Sequence, residues 1–291
     1  LDRSSAASDV YKRQSVNKGA ELNPAVDLLP LLGCGKEPGA FRKLIAEAAG
    51  VREEHLLSTE LFLYPRTKAV QTGLNGEFIV SPRLDDLQCV FGCLEGFLAA
   101  KPGGSLPVLA VFNNEEVGSN TRQGADSTFL TDVLERIAHG CGLDSEGWKA
   151  AVANSFMVSA DNAHAIHPAH PEYADKGEYP VLGGGIVIKY NANQRYTTDA
   201  VSGAVFQAIC QEAGVPVQRY SNRADLPGGS TLGNISTAHL SVPTVDIGLP
   251  QLAMHSICET AGAADTDYLV KAMTAYFSRD FHRNRDGGIV F

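Results

Sequence analysis

The 291-residue sequence lacks several features that would place the protein in a specialised class. Positive charge is in deficit, since 24 lysines and arginines stand against 33 aspartates and glutamates, for a net charge of −9. Because phosphate binding requires a basic surface, nucleic acid is not expected as a partner. No apolar run reaches the about 20 residues of a membrane-spanning helix, so no membrane partner is expected either.

Cysteine pairs with metal-binding spacing are also lacking. The six cysteines form no C-x-x-C motif, and Cys89 and Cys93, four residues apart in a helical pattern, are predicted to be small buried apolar residues. Scattered free cysteines are typical of a reducing compartment, and the polar N-terminus has no signal-peptide pattern. Together these features predict a cytoplasmic protein.

The N-terminal residues, "LDRSSAASDVYKRQ", lack an initiating methionine and an amphipathic period. They resemble translated adapter sequence, so residues 1–14 are interpreted as non-native and a native N-terminal segment is expected to be missing. Residues 15–75 are interpreted as the end of a domain. Within them "AFRKLIAEAAG" predicts a helix ending at Gly50, and "TELFLYP" and "AVQTGLNGEFIVS" have strand character.

Residues 76–291 show strands that alternate with helices. The predicted strands are "EFIVS", "LPVLAVFNN", "SFMVSAD", "GGIVIKYN", "VPVQRYSN" and "PTVDIGL". The predicted helices include "LDDLQCVFGCLEGFLAA", "DSTFLTDVLERIAHG" with Asp126 as its N-cap, and "DAVSGAVFQAICQEAG". This alternation predicts an α/β fold with a mostly parallel sheet sandwiched between helices, in which ligands bind beyond the carboxyl ends of the strands.

Acidic and imidazole side chains follow four of these predicted strands. They are Asp85 and Asp86, Glu115 and Glu116, Asp161 with His164 and His167, and His255 with Glu259. Converging carboxylates repel one another unless a cation neutralises them. Carboxylates and imidazoles without thiolates favour zinc, manganese or cobalt at a hydrolytic site.

Each of these residues, taken alone, also has a purely structural interpretation. Asp85 is at a helix start and would serve as an N-cap, the two adjacent glutamates would be solvated in a loop, and His255 would be a hydrogen-bonded core histidine. Their joint placement after successive strands favours the metal site. In such a site one glutamate of the pair would bind metal and its neighbour would take a proton from water.

Six motifs in order, "SPRLDD", "NNEEVGS", "SADNAHAIHP", "IKYNANQRYTTD", "GGSTLG" and "MHSICE", resemble those of the aspartyl aminopeptidase family of cocatalytic zinc exopeptidases. The resemblance implies that Asp85 bridges two metals and that Glu115 is the general base. It further implies that Glu116 and His255 bind the first metal and that Asp161 binds the second. Zinc is the implied metal, two ions per full-length subunit, with manganese or cobalt as alternatives.

The resemblance also implies a substrate and an assembly. Lys189, Tyr196 and His164 are predicted to contact a peptide substrate whose N-terminal residue, typically Asp or Glu, is removed. Family members form dodecamers built from dimers, and an inserted domain helps to pair the subunits. A homo-oligomer is therefore expected, with residues 15–75 as the end of that β-rich dimerisation domain.

One feature of the family has no match in this sequence. In the family, the second metal has a histidine ligand that lies upstream of the inserted domain, and no residue here corresponds to it. The chain as written is therefore expected to hold at most one metal tightly and to have weak activity. Three other functions stay open: a sister aminopeptidase of different specificity, a non-catalytic scaffold that carries other proteins, and a zinc carboxypeptidase or deacetylase.

Overall fold

The structure is a computed structural model that describes residues 22–35, 37–226 and 228–291. The chain divides into two compact units, with the boundary after Tyr64. The residues predicted to be adapter-like, 1–14, lie outside the described part. The boundary precedes the predicted one at residue 75, because the hairpin formed by residues 70–81 pairs within the second unit. The origin of the first unit in an inserted domain stays a prediction.

The described part of the first unit is helical. It contains α1 (Pro24–Asp27), α2 (Ala40–Ala49) and a short 3-10 helix (Glu53–His55). Helix α2 confirms the predicted helix, and Gly50 ends it in the left-handed conformation at φ 67°. The strand predicted for "TELFLYP" is wrong, since these residues pair with no strand among those described. Strand propensity alone does not supply a hydrogen-bonding neighbour.

The second unit contains two sheets with helices packed around them. Its elements are β1 (Val70–Thr72), β2 (Phe78–Ser81), α3 (Leu84–Ala99), α4 (Phe129–Gly140), α5 (Ser145–Ala153), β3 (Met157–Ala160), β4 (Ala163–His164), a 3-10 helix (Pro171–Tyr173), β5 (Ile186–Tyr190), α6 (Ala200–Glu212), β6 (Val217–Ser221), α7 (Leu232–His239), β7 (Thr244–Gly248), β8 (Pro250–Leu252), β9 (Glu259–Gly262), α8 (Ala263–Phe277), β10 (His282–Arg283) and β11 (Ile289–Val290). One sheet has the order β3-β7-β5-β6 and the other β1-β2-β9-β8-β4, with β10 and β11 forming a separate hairpin. Among the described residues, no helix is both long and apolar enough to span a membrane.

The predicted α/β class is confirmed, but the strands are not all parallel. In the four-stranded sheet β3 runs parallel to β7 and β5 parallel to β6, whereas β5 and β7 are antiparallel. In the five-stranded sheet only the β4–β8 pair is parallel. Alternation of strands and helices indicates the class of fold, but it does not determine the direction of each strand.

Two predictions for the loop region before β3 are wrong. The apolar run at residues 106–114 was expected to be a strand covered on both faces, but it forms no strand, and Val111 is 54% exposed. An apolar run becomes a strand only where a neighbouring strand accepts its backbone hydrogen bonds. Asp126 is not an N-cap, because helix α4 begins after Thr128 and the Asp126 carboxylate instead pairs with His239 at 2.8 Å.

Helices α3 and α8 pack closely through two glycines that are four residues apart. A Cβ atom added at Gly92 would lie 2.6 Å from the Leu269 side chain, and one at Gly96 would lie 2.5 Å from Met273 Cβ and 3.0 Å from its backbone. The predicted burial of Cys89 and Cys93 on the same helix is confirmed, since they are 0% and 6% exposed. This tight contact holds α3, the helix whose N-terminal end carries Asp85 and Asp86, against α8.

We expect Gly96→Ala to lower the free energy of unfolding by about 1–3 kcal/mol, because the added methyl group has no space against α8. Gly140→Ala is the matched control, since Gly140 also lies in a helix but has open space around its Cβ position. Alanine is the better helix former, so the control should leave stability unchanged or slightly higher. Urea denaturation measures both, and equal stabilities for the two variants would contradict the close packing.

Candidate metal centre and active site

All eight residues that the sequence predicted for the site line one pocket of about 280 Å³ in the second unit. They are Asp85, Glu115, Glu116, Asp161, His164, Lys189, Tyr196 and His255. The side chains come from the start of α3, the loop after residue 114, the ends of β3 and β5, strand β4, and the loops after β5 and β8. Strands and loops that are distant in sequence therefore bring together one group of polar residues.

The first group of possible metal ligands is Asp85, Glu116 and His255. Their ligand atoms lie within 4.8 Å of one another, and His255 Nε2 lies 3.2 Å from both Asp85 Oδ2 and Glu116 Oε2. The Asp85 side chain is 5% exposed, whereas that of His255 is 62% exposed. Two carboxylates and one imidazole form a set of donors that suits zinc. Because three protein ligands leave the fourth position of a tetrahedral site open, water could bind there.

A second group consists of Asp85, Asp86 and Asp161, whose ligand oxygens also lie within 4.8 Å of one another. Burial, and then the charge of Asp161, raise the pKa of Asp85 to about 8, and the same causes raise the pKa of Asp86 well above its usual range. Asp85 Oδ1 is buried and has no hydrogen-bond partner within the described part of the chain. These features fit a divalent cation, because a cation would satisfy the buried oxygen and offset the repulsion.

Glu115 lies in a tight loop that closes on itself. Asn114 has a φ of 59°, and its carbonyl accepts a hydrogen bond from Ser119 N at 2.9 Å. Gly118 N donates to Glu115 O at 2.8 Å, with Gly118 at a φ of 102° that favours glycine. Burial, and then the charges of Asp161 and Glu116, raise the pKa of the Glu115 carboxyl. A half-buried carboxylate with a raised pKa is suited to accept a proton near neutral pH.

Lys189, Tyr196 and His164 line another side of the pocket. Lys189 is 3% exposed, and its Nζ lies 3.2 Å from Asp161 Oδ2 and 5.5 Å from the centre of the Tyr196 ring. Burial alone would lower the pKa of the Lys189 amine. The charge of the Asp161 carboxylate raises it, and the net effect is a pKa above the usual value, so the amine stays protonated. Burial, and then the Lys189 charge, lower the pKa of His164, which favours a neutral imidazole.

Glu259 holds the two ends of the first ligand group together. Its Oε2 accepts a hydrogen bond from Asp85 N at 3.0 Å, and its Oε1 accepts one from His255 N at 2.8 Å. The residue is 2% exposed, so both bonds are protected from water. One carboxylate on β9 thus fixes the backbone of two candidate ligands that are far apart in sequence, and His255 keeps a φ of 66°.

Asn162 has a similar role beside the second ligand group. Its backbone N donates to Asp86 Oδ1 at 3.1 Å, and its side-chain Nδ2 donates to Leu84 O at 3.1 Å and to Gln251 Oε1 at 2.8 Å. This buried network connects the end of β3 with the first turn of α3 and with β8. Networks of this kind orient metal ligands and tune them.

Sequence reasoning assigned no role to several of these residues. Asp86 and Glu259 were noticed only as neighbours of predicted ligands, and their position next to such ligands was the available signal. Asn162 and Tyr220 were missed, although Tyr220 lines the pocket and packs 6.2 Å from the Tyr196 ring. His167, which follows the same predicted strand as Asp161, does not line the pocket.

Comparison of the sequence with models of known protein families identifies the family of this chain. A family model described as aminopeptidase I zinc metalloprotease (M18) matches residues 12–277. The chain therefore belongs to the M18 family, and the predicted resemblance is confirmed at that level.

Curated relatives of this family are similar along most of the chain. A protein of Clostridium acetobutylicum named "Probable M18 family aminopeptidase 2" is 44% identical over 273 residues, which cover 92% of this chain and 63% of the relative. A Mycobacterium leprae protein of the same name is 38% identical over 263 residues, which cover 90% of this chain and 62% of that protein. The chain thus spans less than two thirds of the length of these relatives.

Solved structures of the family share the fold. A crystal structure of prApe1 has a TM-score of 0.80 at 26% identity and covers 91% of this chain and 61% of that one. The Thermotoga maritima M18 aminopeptidase has a TM-score of 0.75 at 27% identity, with 87% and 58% covered. A Saccharomyces cerevisiae mApe1 structure described as a dodecamer has a TM-score of 0.72 at 28% identity, with 85% and 59% covered.

We expect Glu259→Gln to weaken zinc binding about tenfold or more, because a side-chain amide accepts only one of the two backbone hydrogen bonds. Competition with a chromogenic chelator measures the affinity, and circular dichroism checks that the variant is folded. Glu95→Gln on the exposed side of α3 is the matched control and should leave zinc affinity unchanged. Equal affinities for both variants would show that Glu259 does not hold the ligands in place.

Proposed function

We propose that the second unit carries the catalytic centre of a zinc aminopeptidase that removes N-terminal residues, preferably acidic ones, from peptides. The observation that carries this proposal is the convergence of a ligand group, Asp85, Glu116 and His255, with Glu115 on one pocket. A half-buried glutamate beside a zinc-type donor set is the arrangement that peptide hydrolysis by an activated water requires. Membership of the M18 family supports the same activity.

Asp85, Glu116 and His255 would hold one zinc ion, and Asp85 and Asp161 would hold a second. When bound, zinc lowers the pKa of water and polarises the scissile carbonyl. Glu115 would take the proton of that water and deliver it to the leaving amine, which its raised pKa favours. The buried Lys189 ammonium, together with Tyr196, would orient the substrate at the other side of the pocket.

Zinc content measured by mass spectrometry on the dialysed chain tests the number of sites. About two zinc ions per chain would mean that the Asp85–Asp86–Asp161 group binds tightly without an imidazole. One ion per chain would indicate that only the group with His255 is a tight site, as expected from the resemblance, which leaves the second metal without a histidine ligand. No bound zinc would contradict the proposal.

We expect Glu115→Gln, made in a full-length version of the protein, to keep its zinc but to lower turnover of an N-terminal aspartyl or glutamyl reporter peptide by about a hundredfold or more. The amide has nearly the same shape but cannot accept a proton from water. Zinc content and turnover are measured on the same preparation. Glu135→Gln on α4 is the matched control, and turnover that survives Glu115→Gln would exclude Glu115 as the base.

Specificity for acidic residues is proposed from Lys189, because a buried cation beside the pocket favours a substrate carboxylate. The sister aminopeptidases of different specificity are the main alternative. A panel of reporter peptides that differ only in the N-terminal residue separates the two, and an N-acetylated peptide should be rejected by any aminopeptidase.

We expect Lys189→Met to reduce the preference for N-terminal Asp and Glu over Leu about tenfold or more, since the stem is kept and the charge is removed. Arg195→Met is the control, because the Arg195 guanidinium donates to Gly228 O and does not line the pocket. If the ratio of kcat/KM values for Asp and Leu peptides does not change in Lys189→Met, another group sets the specificity.

A homo-oligomer, a dodecamer as described for yeast mApe1, is proposed for the whole protein. A second candidate function is that of a scaffold, which is favoured by one solved relative that is described as an Ape4 and Nbr1 complex, with a TM-score of 0.75 at 31% identity. A scaffold has no need of the Glu115 carboxyl. A protein that is folded, oligomeric and loaded with zinc but turns over no peptide would favour the scaffold function.

A further inference from the structure

One aromatic side chain of the candidate metal pocket, Tyr220, has no role in the arrangement described so far. It belongs to β6, which runs parallel to β5, and in that register Tyr220 is paired with Lys189. Because paired residues of neighbouring strands point to the same face of a sheet, both side chains reach the pocket, and both line it. The Tyr196 ring lies on the same side, 6.2 Å from the Tyr220 ring and 5.5 Å from Lys189 Nζ.

Tyr220 is the most accessible of these three side chains. Lys189 is 3% exposed and Tyr196 is 5% exposed, whereas Tyr220 is only partly buried. One donor of the Lys189 ammonium is already used, since Nζ lies 3.2 Å from Asp161 Oδ2. A lysine acts on a carboxylate as a point charge, so Lys189 attracts an acidic group without fixing its orientation. A directional donor beside that charge would fix it, and the phenol of Tyr220 is such a donor.

The hydrogen bonds around the Tyr220 hydroxyl leave its proton available. Asn222 Nδ2 donates to Tyr220 Oη at 3.0 Å, and Asn191 Nδ2 donates to Asn222 Oδ1 at 3.4 Å. The proton of the hydroxyl itself has no acceptor within the described part of the chain. Burial, and then the neighbouring Tyr196, raise the pKa of Tyr220 to about 12, so the hydroxyl keeps this proton at neutral pH. A hydroxyl that accepts a hydrogen bond within such a chain is a stronger donor.

We propose that Tyr220 is a specificity-determining residue whose hydroxyl donates a hydrogen bond to the side-chain carboxylate of an acidic N-terminal residue, while Lys189 supplies the opposite charge. This inference rests on the proposed aminopeptidase function. A carboxylate has two oxygens, so one can face the ammonium and the other the phenol. An apolar N-terminal side chain offers the phenol no acceptor, and a polar group of the site is then left unpaired. Tyr220 thereby adds to the preference for Asp and Glu.

Tyr220→Phe, made in a full-length version of the protein, tests the hydroxyl, because it keeps the ring that packs against Tyr196. We expect kcat/KM for N-terminal Asp and Glu reporter peptides to fall about tenfold or more, and kcat/KM for the Leu peptide to stay unchanged. Tyr190→Phe is the matched control, since Tyr190 follows Lys189 on β5 but does not line the pocket. An equal fall for all three peptides would show that Tyr220 only supports the pocket wall, and no fall would show that it makes no contact; both overturn the proposal.

A double-mutant cycle with Asn222→Ala tests the chain of hydrogen bonds behind the hydroxyl. Asn222 is a positioning residue in this proposal, so Asn222→Ala alone should lower kcat/KM for the Asp and Glu peptides about threefold. In the Tyr220→Phe background it should have no further effect, because it acts only through the hydroxyl. Losses that add up would overturn this action through the hydroxyl.

Binding without turnover separates this inference from the proposed function. In zinc-loaded protein with Glu115→Gln, calorimetry should show that Tyr220→Phe weakens binding of an aspartyl dipeptide about tenfold and leaves that of a leucyl dipeptide unchanged. If the parent protein cleaves no peptide but this difference in binding is found, the proposed function fails and the role of Tyr220 holds. If the parent cleaves Asp and Glu peptides and the difference is absent, only the role of Tyr220 fails. Absence of both turnover and binding would overturn both.

Discussion

The mutual repulsion of carboxylates at the end of β3 is the constraint on which the rest of the second unit depends. Asp85, Asp86 and Asp161 are held close together although burial and charge raise the pKa of the first two. Such a group persists only if the surrounding structure holds the carboxylates in place. Glu259 accepts a hydrogen bond from the backbone of Asp85, Asn162 N donates one to the Asp86 carboxylate, and the close α3–α8 packing at Gly92 and Gly96 holds the helix from which these two carboxylates come.

The balance of charge in the pocket follows from the same arrangement. Lys189 is the buried cation that faces Asp161, and its charge lowers the pKa of His164. The side of the pocket with Lys189 and Tyr196 is therefore positive, and the side with Asp85 and Glu116 is negative. The positive side is where the proposed substrate carboxylate would bind, and the negative side is where the proposed zinc would bind.

The sequence predicted the class of fold and eight of the fifteen residues that line the pocket, since each of those eight belongs to a short motif or follows a recognisable strand. It could not predict strand direction, because β5 has the same apolar pattern whether it is parallel or antiparallel to β7. It also could not predict the contribution of Glu259, which depends on its distance from Asp85, a residue far away in the chain. Contacts between distant segments leave no periodic signal in a single sequence.

The failed prediction at residues 106–114 is informative in the same way. The apolar pattern is that of a buried strand, and the exposure of Val111 shows that the partners needed to bury it are not among the described residues. Yet the loop with Glu115 keeps its shape, because the bonds that close it, from Gly118 N to Glu115 O and from Ser119 N to Asn114 O, are local. The position of the proposed base therefore depends on the turn that follows the run and not on burial of the run itself.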